Sequence, residues 1–256
     1  MSRIKDAFAK DKAFIPFITA GDPNLDKTAD FILALEKAGA DLIEIGIPFS
    51  DPVAEGAVIQ EADLRALNAG TTIEKIFEMI TSVRQKTNLP LVFMTYLNPV
   101  FHYGYDAFFA KCQTCDIAGV IIHDIPYEEK QEVVEVADQY EIDVISFIAP
   151  TSKERIQMIA REAKGFIYVV SSLGVTGVRS EITTDLETII AKIKEVTDVP
   201  TAVGFGINTP EQATAVAEFA DGVIVGSAIV KLIAQFGESA DEHIYKYAKE
   251  MKSAIS

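Results

Sequence analysis

Glu44 and Glu55 are the residues whose types and setting offer chemistry most directly. Glu44 is a lone acid inside an apolar run, Leu42-Ile43-Glu44-Ile45, and Glu55 lies in the loop that follows, punctuated by Pro48, Pro52 and Gly56. An acid set among Leu and Ile is costly when charged, so desolvation favours its neutral form and makes it a proton donor near neutral pH. A second acid facing it across a loop completes an acid–base pair. The plainer readings are a structural carboxylate bonded to a backbone amide for Glu44 and a solvated loop acid for Glu55. The place of Glu44 at the C-terminal end of a strand favours catalysis, and the pairing with it raises Glu55.

A second feature is a pair of glycine turns, Gly204-Phe205-Gly206-Ile207-Asn208 and Gly226-Ser227-Ala228-Ile229-Val230. Glycine lets the backbone approach an anion closely, and backbone N–H groups with a helix N-terminus can cradle a phosphate. No Lys or Arg stands in either segment, so such a site is expected to bind by amide dipoles. Phe17, Thr19, Asp22, Tyr96, Asn98, Asp124 and Tyr168 fall at other strand ends, where the aromatic rings either wall a flat substrate or simply pack. His123 ends an apolar run and reads as a satisfied polar residue and not a catalyst.

Eight strand-length apolar runs must carry these groups: 14–19, 41–46, 90–95, 119–123, 143–148, 166–170, 200–204 and 222–226. They are continuous and not alternating, as parallel strands covered on both faces should be. Between them lie helical patterns with start signals at Thr151-x-x-Glu154, Thr184-x-x-Glu187 and Thr209-Pro210-Glu211-Gln212. Eight strands alternating with helices predict an α/β fold, a single-domain (β/α)8 TIM barrel over residues 1–256. A doubly wound open sheet explains the chain less well, since no G-x-G-x-x-G follows the first run. Ile4, Ala7 and Phe8 at helical spacing predict a short N-terminal helix closing the barrel bottom. The longest intervals follow the second and sixth runs. They hold Glu55 and Leu173-Gly174-Val175-Thr176-Gly177-Val178-Arg179, two candidate lids over one site.

Composition narrows the function. A net charge of −15 argues against nucleic acid and anionic membranes as partners. No run reaches the roughly 18 apolar residues of a membrane span. The charged start, Met1-Ser2-Arg3-Ile4-Lys5-Asp6, lacks a signal-peptide core, so a cytoplasmic location is expected. The two cysteines, Cys112 and Cys115, sit late in a helical pattern and read as core-side thiols; with three histidines in the chain, metal ligands are scarce.

Ile-Glu-Ile-Gly-Ile-Pro-Phe-Ser-Asp-Pro-Val-Ala at 43–54, Phe-Ile-Thr-Ala-Gly-Asp-Pro at 17–23, Gly-Val-Thr-Gly at 174–177, Gly-Phe-Gly-Ile at 204–207 and Val-Gly-Ser-Ala-Ile-Val-Lys at 225–231 resemble the tryptophan synthase alpha chain family. The resemblance implies a lyase of tryptophan biosynthesis that cleaves indole-3-glycerol phosphate to indole and glyceraldehyde 3-phosphate by a retro-aldol reaction, with no cofactor in this chain. It implies that Glu44 is the general acid–base and that the acid at position 55 holds and deprotonates the indole N–H. It implies a lid at Thr176 and Gly177, a phosphate site at Gly206, Gly226 and Ser227, and a substrate pocket of Phe17, Tyr96, Tyr168 and Phe205. It also implies an α2β2 heterotetramer with a pyridoxal-phosphate beta chain, faced by the loop bearing Asp51 and Pro52.

One departure from the family pattern stands out. Where the family has Asp-Gly-Pro, this chain has Glu55-Gly56-Ala57. A longer side chain on a loop without its proline predicts a weakened or partner-dependent lyase, because a misplacement of about 1 Å can cost roughly a hundredfold. Two other readings follow from the same residues: a stand-alone indole-3-glycerol phosphate lyase, and a mainly regulatory subunit with impaired chemistry.

Overall fold

The computed structural model describes residues 3–170, 179–204 and 206–256. Nine strands run in it: β1 (Ala13–Thr19), β2 (Ile43–Gly46), β3 (Leu91–Thr95), β4 (Gly119–Ile122), β5 (Asp143–Val144), β6 (Ser146–Ile148), β7 (Ile167–Val170), β8 (Thr201–Gly204) and β9 (Gly222–Val225). Their lateral order is β5-β4-β3-β2-β1-β9-β8-β7-β6, and the paired strands are parallel. Only Ile145 separates β5 from β6, and its N–H donates to Val120 O at 3.0 Å. The two end strands are therefore halves of one rod, with β5 paired to β4 and β6 to β7, and the sheet closes into a (β/α)8 barrel. The fifth run, read as one strand from sequence, is thus broken where it changes partners.

Among the described residues twelve α-helices accompany the strands: α1 (Ile4–Ala7), α2 (Leu25–Ala38), α3 (Ala57–Asn68), α4 (Ile73–Val83), α5 (Leu97–Tyr103), α6 (Tyr105–Thr114), α7 (Gln131–Gln139), α8 (Lys153–Arg161), α9 (Arg179–Lys194), α10 (Pro210–Ala217), α11 (Ser227–Phe236) and α12 (Asp241–Ile255). The Thr209 capping box forms as expected, with Pro210 in the first turn of α10. The other two starts shift. Ser152, and not Thr151, caps α8 by accepting the Arg155 N–H, and α9 begins at Arg179, ahead of Thr184. No helix among the described residues is long and apolar enough to cross a membrane.

Alternate residues of each strand feed two apolar layers, which is why the runs are continuous. Phe14, Ile18, Ile43, Ile45 and Phe93 pack outward under the helices. Ile15, Phe17, Val92, Met94, Ile121, Phe166, Tyr168, Ala202 and Ile224 fill the barrel interior. Helix α1 closes the bottom: Ile4 is fully buried there, and the Phe8 ring lies 5.8 Å from that of Phe166. Cys112 and Cys115 are free, buried thiols, as expected, and burial pushes Cys112 well above the usual thiol range.

Candidate active site

Glu44 is carried on β2 between Ile43 and Ile45, which face the helices, so the pleat turns Glu44 into the barrel. It stands in register with Phe17 on β1 and Val92 on β3. It is fully buried, and neither carboxylate oxygen has a hydrogen-bond partner among the described residues. Desolvation raises its pKa well above the ordinary carboxylic value. A buried acid without donors holds its proton at neutral pH, the state a general acid needs.

Glu55 precedes Gly56, the N-cap of α3. Its loop is fastened from two sides. The Tyr96 hydroxyl accepts the Ala54 N–H at 3.0 Å, and Gln60 Nε2 donates to the Glu55 carbonyl at 2.7 Å. The Glu55 side chain is only 12% exposed, and its Oε2 is buried without a partner among the described residues. Burial lifts its pKa to about 7, while the nearby Tyr96 hydroxyl pulls the other way. It is poised to gain and lose a proton near neutrality.

His123 follows β4, two residues beyond Ile121 of the interior layer. Its ring stacks on Phe147 at 5.2 Å and tilts against Tyr96 at 5.3 Å. Nδ1 lies 3.6 Å from Glu55 Oε1. Desolvation lowers the His123 pKa to about 4 against the opposing pull of Asp124, so the imidazole is neutral and the two do not form an ion pair. The reading of His123 as a satisfied polar residue is corrected here, since Nδ1 is buried with no hydrogen-bond partner among the described residues.

These groups share one cavity of about 350 Å³. Glu44, Glu55, His123, Phe17 and Tyr168 line it, and Gly206, Gly226 and Ser227 line it too. Gly226 is the N-cap of α11, whose first amides lack intrahelical partners and carry the positive end of the helix dipole. The expectation of a cradle without side-chain charge needs amendment: Lys231 also lines the cavity. It lies one turn beyond Ser227 on the same helix face, the spacing that could have found it.

Other expected residues fall elsewhere. Tyr96 is 1% exposed and anchors the loop of Glu55 without lining the cavity. Gly204 is absent from the lining as well; a Cβ there would come 2.3 Å from Tyr168 Oη, so its smallness makes room for that ring. Thr176, Gly177 and Phe205 lie outside the described residues. Asp51 and Pro52 stand at an exposed turn beside Val53, which is 80% exposed. Asp22 is buried and takes a two-pronged ion pair from Arg65 of α3, at 2.8 Å on each oxygen. Sequence reading missed Asp63, a buried acid on α3 whose pKa rises to about 8, chiefly through desolvation and then through Glu55. Its membership of the buried stripe Ile59, Ala62, Asp63 and Ala66 was the available signal.

A model of the tryptophan synthase alpha chain family matches residues 4–256. The tryptophan synthase alpha chain of Lacticaseibacillus casei is 51% identical over 255 residues, covering 100% of this chain and 96% of that relative. The crystal structure of tryptophan synthase subunit alpha from Legionella pneumophila superposes with a TM-score of 0.91 at 37% identity, covering 100% of this chain and 98% of that one. A chain from the tryptophan synthase α2β2 complex of Pyrococcus furiosus superposes with a TM-score of 0.88 at 37% identity, covering 95% and 99%.

Proposed function

The chain belongs to the tryptophan synthase alpha chain family, and from that membership and the cavity we propose how it works. It is a lyase that cleaves indole-3-glycerol phosphate to indole and glyceraldehyde 3-phosphate. The observation that carries the assignment of residues is that a proton-holding acid, Glu44, and an acid titrating near 7, Glu55, line the same cavity as the α11 N-cap.

The substrate's phosphate sits at Gly206, Gly226 and Ser227, where amide N–H groups and the helix dipole meet it. Its indole ring lies between Phe17 and Tyr168. Glu55 takes the proton from the ring N–H as Glu44 gives its proton to the ring carbon that bears the side chain. Glu44, now a carboxylate, takes the proton of the adjacent hydroxyl. The carbon–carbon bond breaks, that hydroxyl carbon becomes the aldehyde, and the electron pair returns through the ring to the nitrogen, which recovers its proton from Glu55. Both acids end in their starting states, and no cofactor of this chain takes part.

The chain acts as the alpha subunit of an α2β2 assembly with a pyridoxal-phosphate beta chain, as in the complex described for Pyrococcus furiosus. The exposed turn at Asp51, Pro52 and Val53 faces that partner. Residues 1–256 form one domain, and the location is cytoplasmic. The test is indole release from indole-3-glycerol phosphate, measured for this chain alone and with a beta chain. Release that the beta chain stimulates is expected, and no release in either case overturns the proposal.

A further inference from the structure

We infer that His123 is a positioning residue for the loop acid: its Nδ1–H donates to Glu55 Oε1 and holds that carboxylate toward the ring nitrogen of the substrate. The inference rests on the proposed role of Glu55 as the base. Three observations carry it. Nδ1 and Oε1 stand 3.6 Å apart, just beyond hydrogen-bond range. Such contacts are often long before substrate binds and tighten in the complex. Next, both side chains are deeply buried, at 5% and 12% exposure, and each keeps a polar atom without a partner among the described residues, Nδ1 of His123 and Oε2 of Glu55. A buried polar group without a partner is costly, and the nearest remedy for Nδ1 is the carboxylate beside it. Finally, the imidazole is held on two sides, by Phe147 and Tyr96, so it can orient a mobile side chain.

The surroundings set the direction of the bond. Glu55 is faced by the Tyr96 hydroxyl beyond β3, by His123 beyond β4 and by Asp63 of α3. Glu44 of β2 and Lys231 of α11 share its cavity. His123 is itself faced by Glu55, the Tyr96 ring and the neighbouring Asp124. Among these, the Tyr96 hydroxyl already favours the ionised Glu55 carboxylate, and a neutral His123 protonated on Nδ1 supplies it with a donor. Each stabilises the ionised form that takes a proton.

The length of the Glu55 side chain fits this role. A longer acid reaches the histidine while its other oxygen stays free for the substrate.

The experiment compares the full chain, with its beta chain present, as parent, His123→Leu, His123→Asn and Glu55→Gln. Asn places an amide N–H near the site of Nδ1, whereas Leu fills the space without a donor. His123→Leu should lower kcat about tenfold, with KM little changed, and move the acid limb of the pH profile upward by about one unit. His123→Asn should recover kcat to within about threefold of the parent. Equal losses in both variants would show a packing role, and no loss in either would show no role; both results overturn the inference. If Glu55→Gln keeps parental activity, the assignment of Glu55 itself fails, whatever the histidine variants do. A readout free of turnover is the imidazole tautomer by nitrogen NMR of the parent at about pH 8, where Glu55 is ionised. The Nδ1–H form is expected, and the Nε2–H form overturns the inference.

Discussion

The Tyr96 hydroxyl accepts the Ala54 N–H at 3.0 Å, which joins the end of β3 to the residue before Glu55. The same hydroxyl lies near the Glu55 carboxylate and restrains its upward shift. Its ring is 1% exposed and packs between Phe49 and His123, so the anchor is rigid. The loop of Glu55 is thus fixed by a strand-end tyrosine.

The anchor makes a pH prediction. Glu55 must be ionised to take a proton and titrates at about 7, so kcat/KM should fall as pH drops below that value. Glu44 lies well above the ordinary range and keeps its proton there. Tyr96→Phe retains the ring and removes the hydroxyl, with its bond to the Ala54 N–H and its hold on Glu55. It should shift the limb to higher pH and lower kcat about tenfold. Rate profiles of the two proteins that superpose would contradict this.

Glu55→Asp tests the length of the loop acid. From sequence alone the longer side chain is expected to impair catalysis. In the structure Glu55 lines the cavity with Glu44 and reaches to 3.6 Å from His123. Withdrawing the carboxylate by a methylene should therefore cost up to about a hundredfold in kcat. An unchanged or faster turnover would show that reach is not what the methylene provides.

Asp63 predicts a stability effect away from the chemistry. Its pKa is about 8 in the folded chain against 3.8 for the free side chain, so the protonated acid favours the fold. That contribution is complete below the unfolded value and is lost as pH rises through the folded one. Asp63→Asn is close in shape and does not titrate. The Tm difference, variant minus parent, should grow by a few degrees between about pH 5 and about pH 9. A difference independent of pH would refute the burial argument.

Glu44 was legible because a single acid between isoleucines is a strong local signal, and strand alternation gives its direction. The barrel was legible from continuous apolar runs at βα intervals, and α1 from three residues at helical spacing. What escaped depended on packing between distant segments. Ile121 placed His123 inside by alternation, yet its neighbour Glu55 belongs to another loop. Gly204 has the look of a phosphate turn, but its lack of a side chain serves Tyr168 across the β7–β8 pair. Tyr96 is an aromatic at a strand end, and only the loop path shows that its hydroxyl matters more than its ring. Lys231 and Asp63 carried helical-spacing signals that a search for glycine turns and strand ends does not examine.

The most direct measurement is indole release by Glu44→Gln, assembled with its beta chain and shown by thermal melting to be folded. Gln fills the same buried space and cannot give or take the proton. With Glu44 as the general acid–base, kcat should fall about 10²- to 10⁴-fold while KM changes little. A kcat within tenfold of the parent would contradict that role and, with it, the two-carboxylate mechanism.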